Sequence, residues 1–419
     1  MVSSSSFASG DEAIDQLLRE RSLLVEFQPI LSLRHLSIVG LEALARPQTM
    51  ALGPMFLQAQ RCGRLLEVDR LCRQRALETF QAWQPPAGGS RPLLFLNFEA
   101  SVIDAGVVGS GWLRHAVQQA GLEAEDVVIE VNESQVLDLL ALRRFVDEYR
   151  DHGFLIALDD LGAGDSNLPR IAQLRPHIIK LDRHLVAQVD RDFFKQETVK
   201  ALVNLSRSIG AMVLAEGVET QGEVDTCSAL GAELLQGFFF ARPSPLRTLD
   251  LPGLMPPLAE AAQRQRHQAT ERLRARRHQS QQLQQLAEQG CALLQAVEEG
   301  GFDQALRLLL RAHETIEATY LLDSRGIQVS DTHMPTDLKV QRSRLFEPAE
   351  RGSNHSYKEY FYSLTDTGLT RFTTENYISL ATGNPCRTVA VLLQHGSADL
   401  PYVLCLDFHL TGENAVQPS

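Results

Sequence analysis

Short apolar runs, each followed by a polar or charged side chain, recur between residues 36 and 236. They are 36–41 before Glu42, 93–96 before Asn97, 127–129 before Glu130, 155–158 before Asp159 and Asp160, 178–179 before Lys180, 212–215 before Glu216, and 234–235 before Gln236. Continuous apolar runs of this length are typical of parallel strands that are buried on both faces. The pattern therefore predicts buried strands whose carboxyl ends carry polar groups.

Apolar residues at helical spacing separate these runs. Examples are Val136, Leu139, Leu140, Phe145 and Tyr149, and later Val199, Leu202, Val203 and Leu205. Strands and helices that alternate in this way predict an α/β fold, a (β/α)8 TIM-like barrel. The carboxyl ends of barrel strands meet at one face, so the polar groups would share one pocket. An open doubly wound sheet is the structural alternative.

Length and composition limit the class of protein. The 419 residues, 44% of them hydrophobic, leave room for a second globular domain beyond the barrel. No run approaches the ~18 apolar residues of a membrane span, and the N-terminus lacks signal-peptide features, so we expect a cytoplasmic protein. The net charge of −12 disfavours general nucleic-acid binding. The six cysteines form no CxxC pair, which favours buried, reduced thiols.

Carboxylates dominate the predicted pocket. They are Glu42, Glu130, Asp159, Asp160, Glu216 and Glu219. Close together, such groups raise one another's pKa unless cations are present, and oxygen ligands without histidine suit Mg²⁺ or Mn²⁺. Two such ions form the usual clamp for phosphodiester hydrolysis, with Lys180 as a fixed positive charge. A single carboxylate is more often a solvated strand end or a helix cap, but the series in register favours a site.

The same segments resemble the EAL-domain family of cyclic-di-GMP phosphodiesterases. The segment GLEALARP contains Glu42, Ala43 and Leu44 of the signature tripeptide, followed by Arg46. The other blocks, in the order and spacing of the family, are EFQPI, FLNFEAS, IEVNES, LDDLGAG, IIKLD, AEGVET and LLQGFFFARP. The similarity covers roughly residues 15–245, which is nearly the whole predicted barrel.

The resemblance implies a role for each matching position. The positions that match metal ligands are Glu42, Asn97, Glu130, Asp159, Asp160 and Glu216. The positions that match catalytic residues are Glu42, Glu133, Lys180 and Glu219. The positions that match substrate-binding residues are Gln28, Leu44, Arg46 and Gln236.

The resemblance further implies how these residues act. Asp159 would bridge two ions, Mg²⁺ or Mn²⁺, and Lys180 would orient or activate the attacking water. Glu219 and Gln236 would support the site from its rim, and Glu133 would anchor the loop after the two aspartates. Arg46 would contact a phosphate oxygen of the dinucleotide.

The activity implied is in-line, two-metal-assisted hydrolysis of cyclic-di-GMP to linear pGpG. The alternative is a receptor that binds cyclic-di-GMP without hydrolysing it and signals occupancy to a partner. The complete set of metal ligands favours the enzyme. The family also implies a homodimer, whose interface is coupled to metal binding through the loop after Asp160. This loop departs from the family at Leu161, Ala163, Asp165 and Ser166.

Beyond the barrel, we predict a helical linker over 256–313 and a third segment over 314–419, with the barrel in 1–255. Leucines at helical spacing predict a long helix, interrupted near Gly290 or at Gly300 and Gly301. Its basic first half, RQRHQATERLRARRHQSQQ, favours a solvated linker or a dimer coiled coil over a nucleic-acid or membrane contact.

The last segment contains β-type runs at 318–322, 326–330, 377–380, 388–393 and 402–408, which predict an antiparallel sheet. Their order resembles the α+β PAS or Cache-like sensor domains that follow some EAL domains. Such a domain would regulate the barrel through a small molecule or a partner protein. The candidate pocket residues are His355, Tyr357, Tyr360, Tyr362 and Arg387. A plain hydrophobic core is the alternative for these aromatic side chains.

Overall fold

The computed structural model describes residues 10–84, 91–99, 101–104, 110–132, 138–162, 168–336, 346–396 and 401–409. The strands in these ranges are β1 (Leu23–Ser32), β2 (Ser37–Pro47), β3 (Leu93–Phe98), β4 (Val127–Val131), β5 (Leu155–Leu161), β6 (Ile178–Leu181), β7 (Met212–Glu216), β8 (Leu234–Gln236), β9 (Ile316–Leu322), β10 (Arg371–Thr373), β11 (Tyr377–Ile378), β12 (Pro385–Leu393) and β13 (Tyr402–His409).

The helices in the same ranges are α1 (Gly10–Glu20), α2 (Leu52–Arg61), α3 (Leu65–Ala82), α4 (Ser101–Asp104), α5 (Trp112–Gln119), α6 (Leu139–Asp151), α7 (Leu168–Leu174), α8 (Arg183–Val186), α9 (Phe193–Ile209), α10 (Gln221–Leu230), α11 (Met255–Gln295), α12 (Phe302–Ala312) and α13 (Glu359–Thr365). None of these helices combines the length and the apolar character needed to span a bilayer.

The chain divides into two compact units, residues 1–269 and 270–419. The division falls within α11, so this helix contributes its first residues to one unit and the remainder to the other. The sequence-based boundaries at 255/256 and 313/314 stay predictions.

Strands β1 to β8 of the first unit form a closed barrel in chain order, which confirms the predicted fold class. The strands from β2 to β8 are parallel to their neighbours, but β1 is antiparallel to both β2 and β8. The sequence pattern predicted parallel strands and missed β1. A parallel pair needs a crossover of about a dozen residues or more. The turn at 33–36 is too short for that, so β1 and β2 form a hairpin.

The position of Glu42 also differs from the prediction. The apolar run at 36–41 placed Glu42 at a strand end, yet β2 continues to Pro47. In the antiparallel pairing of β1 and β2, Glu42 lies opposite Gln28. Residues that are directly opposite share a face of the sheet, so the hairpin places both side chains on the same face.

The second unit contains an antiparallel sheet in the order β10-β12-β13-β9, with β11 paired to β12. This confirms the predicted sheet. The run at 326–330 forms only isolated bridges, and both β10 and α13 were missed.

The long helix α11 continues through Gly290, so the interruption predicted there is wrong. The alternative break is confirmed, because α11 ends at Gln295 and α12 begins at Phe302. A Cβ atom at Gly290 would lie 2.8 Å from a methyl carbon of Leu404. Glycine therefore permits close packing of this helix rather than ending it.

Candidate functional site

Inside the barrel, a layer of polar side chains lies on a layer of apolar side chains. The lower layer is apolar and buried, and consists of Ile30, Phe95, Val128, Ala157, Ile178, Leu214 and Leu234. Two residues away on the same strands stand Gln28, Asn97, Glu130, Asp159, Lys180, Glu216 and Gln236. Side chains two positions apart on a strand share a face. Strand alternation therefore places the polar layer directly on the apolar layer, at the carboxyl ends of the parallel strands.

Strand β2 contributes Glu42 to the polar layer, and the residue two positions before it is Gly40. A Cβ atom at Gly40 would lie 2.3 Å from a ring carbon of Phe95. Glycine here leaves room for the Phe95 ring in the apolar layer, which supports the polar layer above it.

Lys180 lies at the centre of the polar layer and is 1% exposed. Its Nζ lies 2.5 Å from Glu130 Oε1, 2.7 Å from Glu216 Oε1, 3.1 Å from Asp159 Oδ1 and 3.7 Å from Glu42 Oε1. Burial alone would lower the pKa of Lys180, but the carboxylates, Asp159 first among them, hold that pKa well above its usual value. The lysine is therefore a permanent cation among four acidic groups.

One lysine does not balance four carboxylates. Oxygens of Glu42, Glu130 and Glu216 lie within 4.8 Å of one another. Burial and the charge of Glu42 raise the pKa of Glu130 well above its usual value, and burial also raises the pKa of Glu216. In the described part of the chain, Lys180 is the cation that contacts Glu130, and no amide or hydroxyl group donates a hydrogen bond to either Glu130 oxygen. This concentration of buried acid fits a hard divalent cation.

Glu42 is held by amide donors as well as by Lys180. Asn97 Nδ2 donates to Glu42 Oε1 at 3.1 Å, and Gln236 Nε2 donates to Glu42 Oε2 at 2.6 Å. Burial alone would raise the pKa of Glu42, but Lys180 and these two amides hold it below its usual value. Glu42 is therefore an ionised and firmly oriented ligand candidate.

The two aspartates at the end of β5 have different environments. Asp160 has a φ of 58°, in the left-handed region, and the β5–β6 register shifts between Leu158 and Leu161. Asp160 N donates to Asp159 Oδ1 at 3.0 Å, and Asn132 Nδ2 donates to Asp160 Oδ2 at 2.6 Å. Strained residues of this kind are often found at functional sites. Burial, followed by the charge of Asp159, raises the pKa of Asp160.

Some predicted site residues lie outside the carboxylate cluster. Glu219 pairs with Arg183, and Arg46 Nε donates to Glu26 Oε2 at 2.7 Å. Leu44 lines the cavity beside the cluster. Glu133 lies outside the described residues, as do Ala163, Asp165 and Ser166 of the loop after Asp160.

The structure adds a buried pair that the sequence reasoning missed. Asp69 and Arg73 of α3 line the same cavity, and Arg73 Nη2 lies 2.6 Å from Asp69 Oδ2. The guanidinium of Arg73 lies 4.1 Å from the centre of the Phe98 ring. The sequence signal that could have identified this pair is the i,i+4 spacing of two opposite charges on the apolar face of a predicted helix.

The protein is thus a closed α/β barrel with a candidate cation site in the acidic polar layer at the carboxyl ends of its strands. The EAL domain profile matches residues 11–243, and the chain belongs to this family.

Two relatives from Pseudomonas aeruginosa are 30% identical to this chain. The cyclic di-GMP phosphodiesterase NbdA matches over 247 residues, which are 57% of this chain and 31% of NbdA. The bifunctional diguanylate cyclase/cyclic di-GMP phosphodiesterase MucR matches over 241 residues, which are 56% of this chain and 35% of MucR. The chain thus spans about a third of the length of these curated relatives.

Solved structures extend the similarity. The EAL-domain protein YkuI of Bacillus subtilis, in complex with its substrate c-di-GMP and calcium, superposes with a TM-score of 0.79 at 24% identity. That match covers 97% of this chain and 100% of YkuI, and it establishes the fold. The PaMucR phosphodiesterase in complex with c-di-GMP has a TM-score of 0.51 at 25% identity, covering 57% of this chain and 98% of the other.

Proposed function

We propose that the barrel hydrolyses cyclic-di-GMP to linear 5′-pGpG with two divalent cations, Mg²⁺ or Mn²⁺. The observation that carries the proposal is the ring of four carboxylates around the buried Lys180, in a chain of the EAL family. The names of NbdA and MucR, and the c-di-GMP bound in the YkuI and PaMucR structures, support the same substrate.

The residues that would hold the cations are Glu42, Asn97, Glu130, Asp159, Asp160 and Glu216. When bound, such cations lower the pKa of an attacking water and stabilise charge that develops on the phosphate. The oxygens of Glu42, Glu130 and Glu216 are already close enough to share one ion. Asn97 donates to Glu42 through its amide nitrogen, which leaves the amide oxygen as a ligand atom.

The side chains of the barrel have separate tasks in this proposal. Lys180 keeps its proton and provides a fixed positive charge beside the attacking water and the reacting phosphate. Gln236 and Asn97 fix the orientation of Glu42, and Gln236 Nε2 also lies 3.3 Å from Gln28 Oε1. Gln28 and Leu44 would contact the dinucleotide.

Glu219 and Glu133 act through other residues in this proposal. The backbone N–H of Glu219 donates to Glu223 Oε2 at 2.7 Å, while its carboxylate pairs with Arg183. Glu219 would support the rim of the site from this position, and Glu133 would anchor the loop after Asp160.

Arg46→Ala is expected to weaken cyclic-di-GMP binding by about tenfold to a hundredfold, the usual contribution of a hydrogen bond to a charged group. Arg46 would exchange its partner Glu26 for a phosphate oxygen of the substrate. The measurement is calorimetric titration with the dinucleotide and Ca²⁺. Glu26→Gln is the matched control and should leave affinity equal or higher. If Arg46→Ala bound the dinucleotide with unchanged affinity, Arg46 would not contact its phosphate.

In the same proposal, the second unit contains a PAS/Cache-like sensor that regulates the barrel within a homodimer. The barrel comprises residues 1–255, the linker 256–313 and the sensor 314–419. The antiparallel sheet of the second unit supports a sensor, because the sheet borders a cavity of about 450 Å³. Cavities of this size suit small-molecule ligands.

Chromatography of the purified full chain with cyclic-di-GMP and Mg²⁺ or Mn²⁺ tests the activity. Accumulation of pGpG, abolished by EDTA, is the expected result. Tight binding of the dinucleotide without product in either metal would instead establish the receptor alternative. Failure to bind the dinucleotide at all would exclude both functions.

A further inference from the structure

The cavity in the second unit contains only part of the predicted pocket. His355, Tyr357 and Tyr360 line it, whereas Tyr362 and Arg387 do not. Tyr362 is 44% exposed, and Arg387 donates to Asn376 Oδ1 at 2.8 and 3.1 Å. The described lining residues therefore include no guanidinium, the group that would have suited an anionic ligand.

A buried carboxylate forms part of the cavity wall. Asp407 stands on β13, between β12 and β9, and is 3% exposed. Thr388 Oγ1 donates to Asp407 Oδ1 at 2.6 Å, so the Tyr377 hydroxyl, 2.6 Å from Thr388 Oγ1, donates to the threonine. Within the described residues, no lysine, arginine or histidine nitrogen lies within 4 Å of this carboxylate. Its partners there are neutral hydroxyl groups, and burial raises the pKa of Asp407 to about 7.

The histidine of the cavity is neutral. Gln328 Nε2 donates to Ser330 O at 3.0 Å, which fixes the amide so that Gln328 Oε1 accepts from His355 Nε2 at 3.1 Å. In a neutral ring, His355 Nδ1 then accepts from the Tyr360 hydroxyl at 3.0 Å, and Tyr360 in turn accepts from the Tyr320 hydroxyl at 2.9 Å. Burial lowers the pKa of His355 to about 4, so the ring is neutral near pH 7.

The charged groups among the described residues of the cavity lining are mainly acidic. Besides Asp407, the acidic lining residues are Glu347, Glu359 and Glu375. Lys358 is the one lysine or arginine among the described residues of the lining, and its Nζ lies 5.3 Å from the Tyr357 ring centre. The lining also contains four aromatic side chains, those of Tyr320, Tyr357, Tyr360 and Tyr377.

We propose that this cavity binds a small organic cation, a protonated amine whose positive charge lies against Asp407 and whose carbon atoms lie among the tyrosine rings. A bound cation would give Asp407 a direct ion-pair partner, because Lys358, the described cation whose charge acts on Asp407, forms no ion pair with it. Tyrosine rings attract ammonium groups through their faces. The proposal rests on the sensor role of the second unit and does not depend on hydrolysis by the barrel.

Calorimetric titration of the full chain, without dinucleotide, tests the class of ligand. The probes are phenethylamine, phenethyl alcohol and phenylacetate, which have similar size but are cationic, neutral and anionic. Saturable binding of phenethylamine is expected, with the alcohol at least about tenfold weaker. Equal or tighter binding of the alcohol or of phenylacetate would overturn the proposal, and so would failure of phenethylamine to bind.

Asp407→Asn tests the residue. This variant keeps an oxygen that accepts from Thr388 but loses the charge, and it should weaken phenethylamine binding by at least about tenfold. The control is Glu317→Gln, a buried carboxylate of β9 that is outside the cavity lining and lies 3.2 Å from His409. Equal weakening in both variants would contradict a direct contact. The probe series on the unaltered chain decides the question if Asp407→Asn does not fold.

Discussion

Glu42→Gln is expected to reduce pGpG formation by at least about a hundredfold, because in the proposed mechanism it removes a metal ligand from a site whose chemistry depends on bound cations. Glutamine also presents an amide N–H₂ group where Asn97 and Gln236 both donate to a carboxylate. One of these donors would then face another donor. The loss should therefore combine weaker cation binding with a misplaced side chain.

Initial rates of pGpG formation over a range of Mn²⁺ concentrations measure this effect. The matched control is Glu197→Gln, on α9, where the exposed carboxylate pairs with Lys200 at 3.3 Å. That variant should retain the full rate. A Glu42→Gln protein with the native rate at every Mn²⁺ concentration would rule out Glu42 as a ligand.

Lys180→Met is expected to lower the free energy of unfolding in EDTA by about 3–5 kcal/mol, because loss of one partner leaves buried charges without compensation. Lys180 contacts four carboxylates and is 1% exposed. Added Mn²⁺ should restore part of that stability, since a divalent cation supplies positive charge to the same oxygens. Hydrolysis should fall by at least about a hundredfold, because the proposed mechanism relies on the fixed charge of Lys180 beside the phosphate.

Urea unfolding with EDTA and with Mn²⁺ measures the difference in stability. Lys200→Met is the control, since its exposed ion pair should contribute at most about 1 kcal/mol in either condition. Equal destabilisation of Lys180→Met with and without the metal would mean that the lysine and the cation do not share these carboxylates.

The polar layer of the barrel was largely predictable from the sequence. Asn97, Glu130 and Lys180 follow buried apolar runs, and such runs determine both the strand and the face on which the next polar side chain stands. Glu42 did not follow this rule, because it lies inside β2 of an antiparallel hairpin. Its place in the site depends on the pairing with β1, which a search for parallel strands overlooks.

The remaining errors arise from tertiary packing. Asp69 and Arg73 form an ion pair on the buried face of α3. That they line the cavity depends on how this helix packs against the strand ends, which the helix sequence does not show. The segment EYFYSLT is rich in aromatic residues that favour strands. It nevertheless forms α13, where Tyr360, Phe361 and Leu364 are buried with strand residues of the second unit.

The apolar layer beneath Lys180 determines how molecules enter and leave the barrel. Seven buried side chains, from Ile30 to Leu234, close the interior below the carboxylates. Ions and water therefore reach the polar layer from the carboxyl ends of the strands, the side on which a dinucleotide would lie. Because the cations and the dinucleotide use the same opening, a bound dinucleotide blocks the exit of cations that lie deeper in the barrel. Cations should load before the dinucleotide, and a chelator should strip them slowly while the dinucleotide is bound.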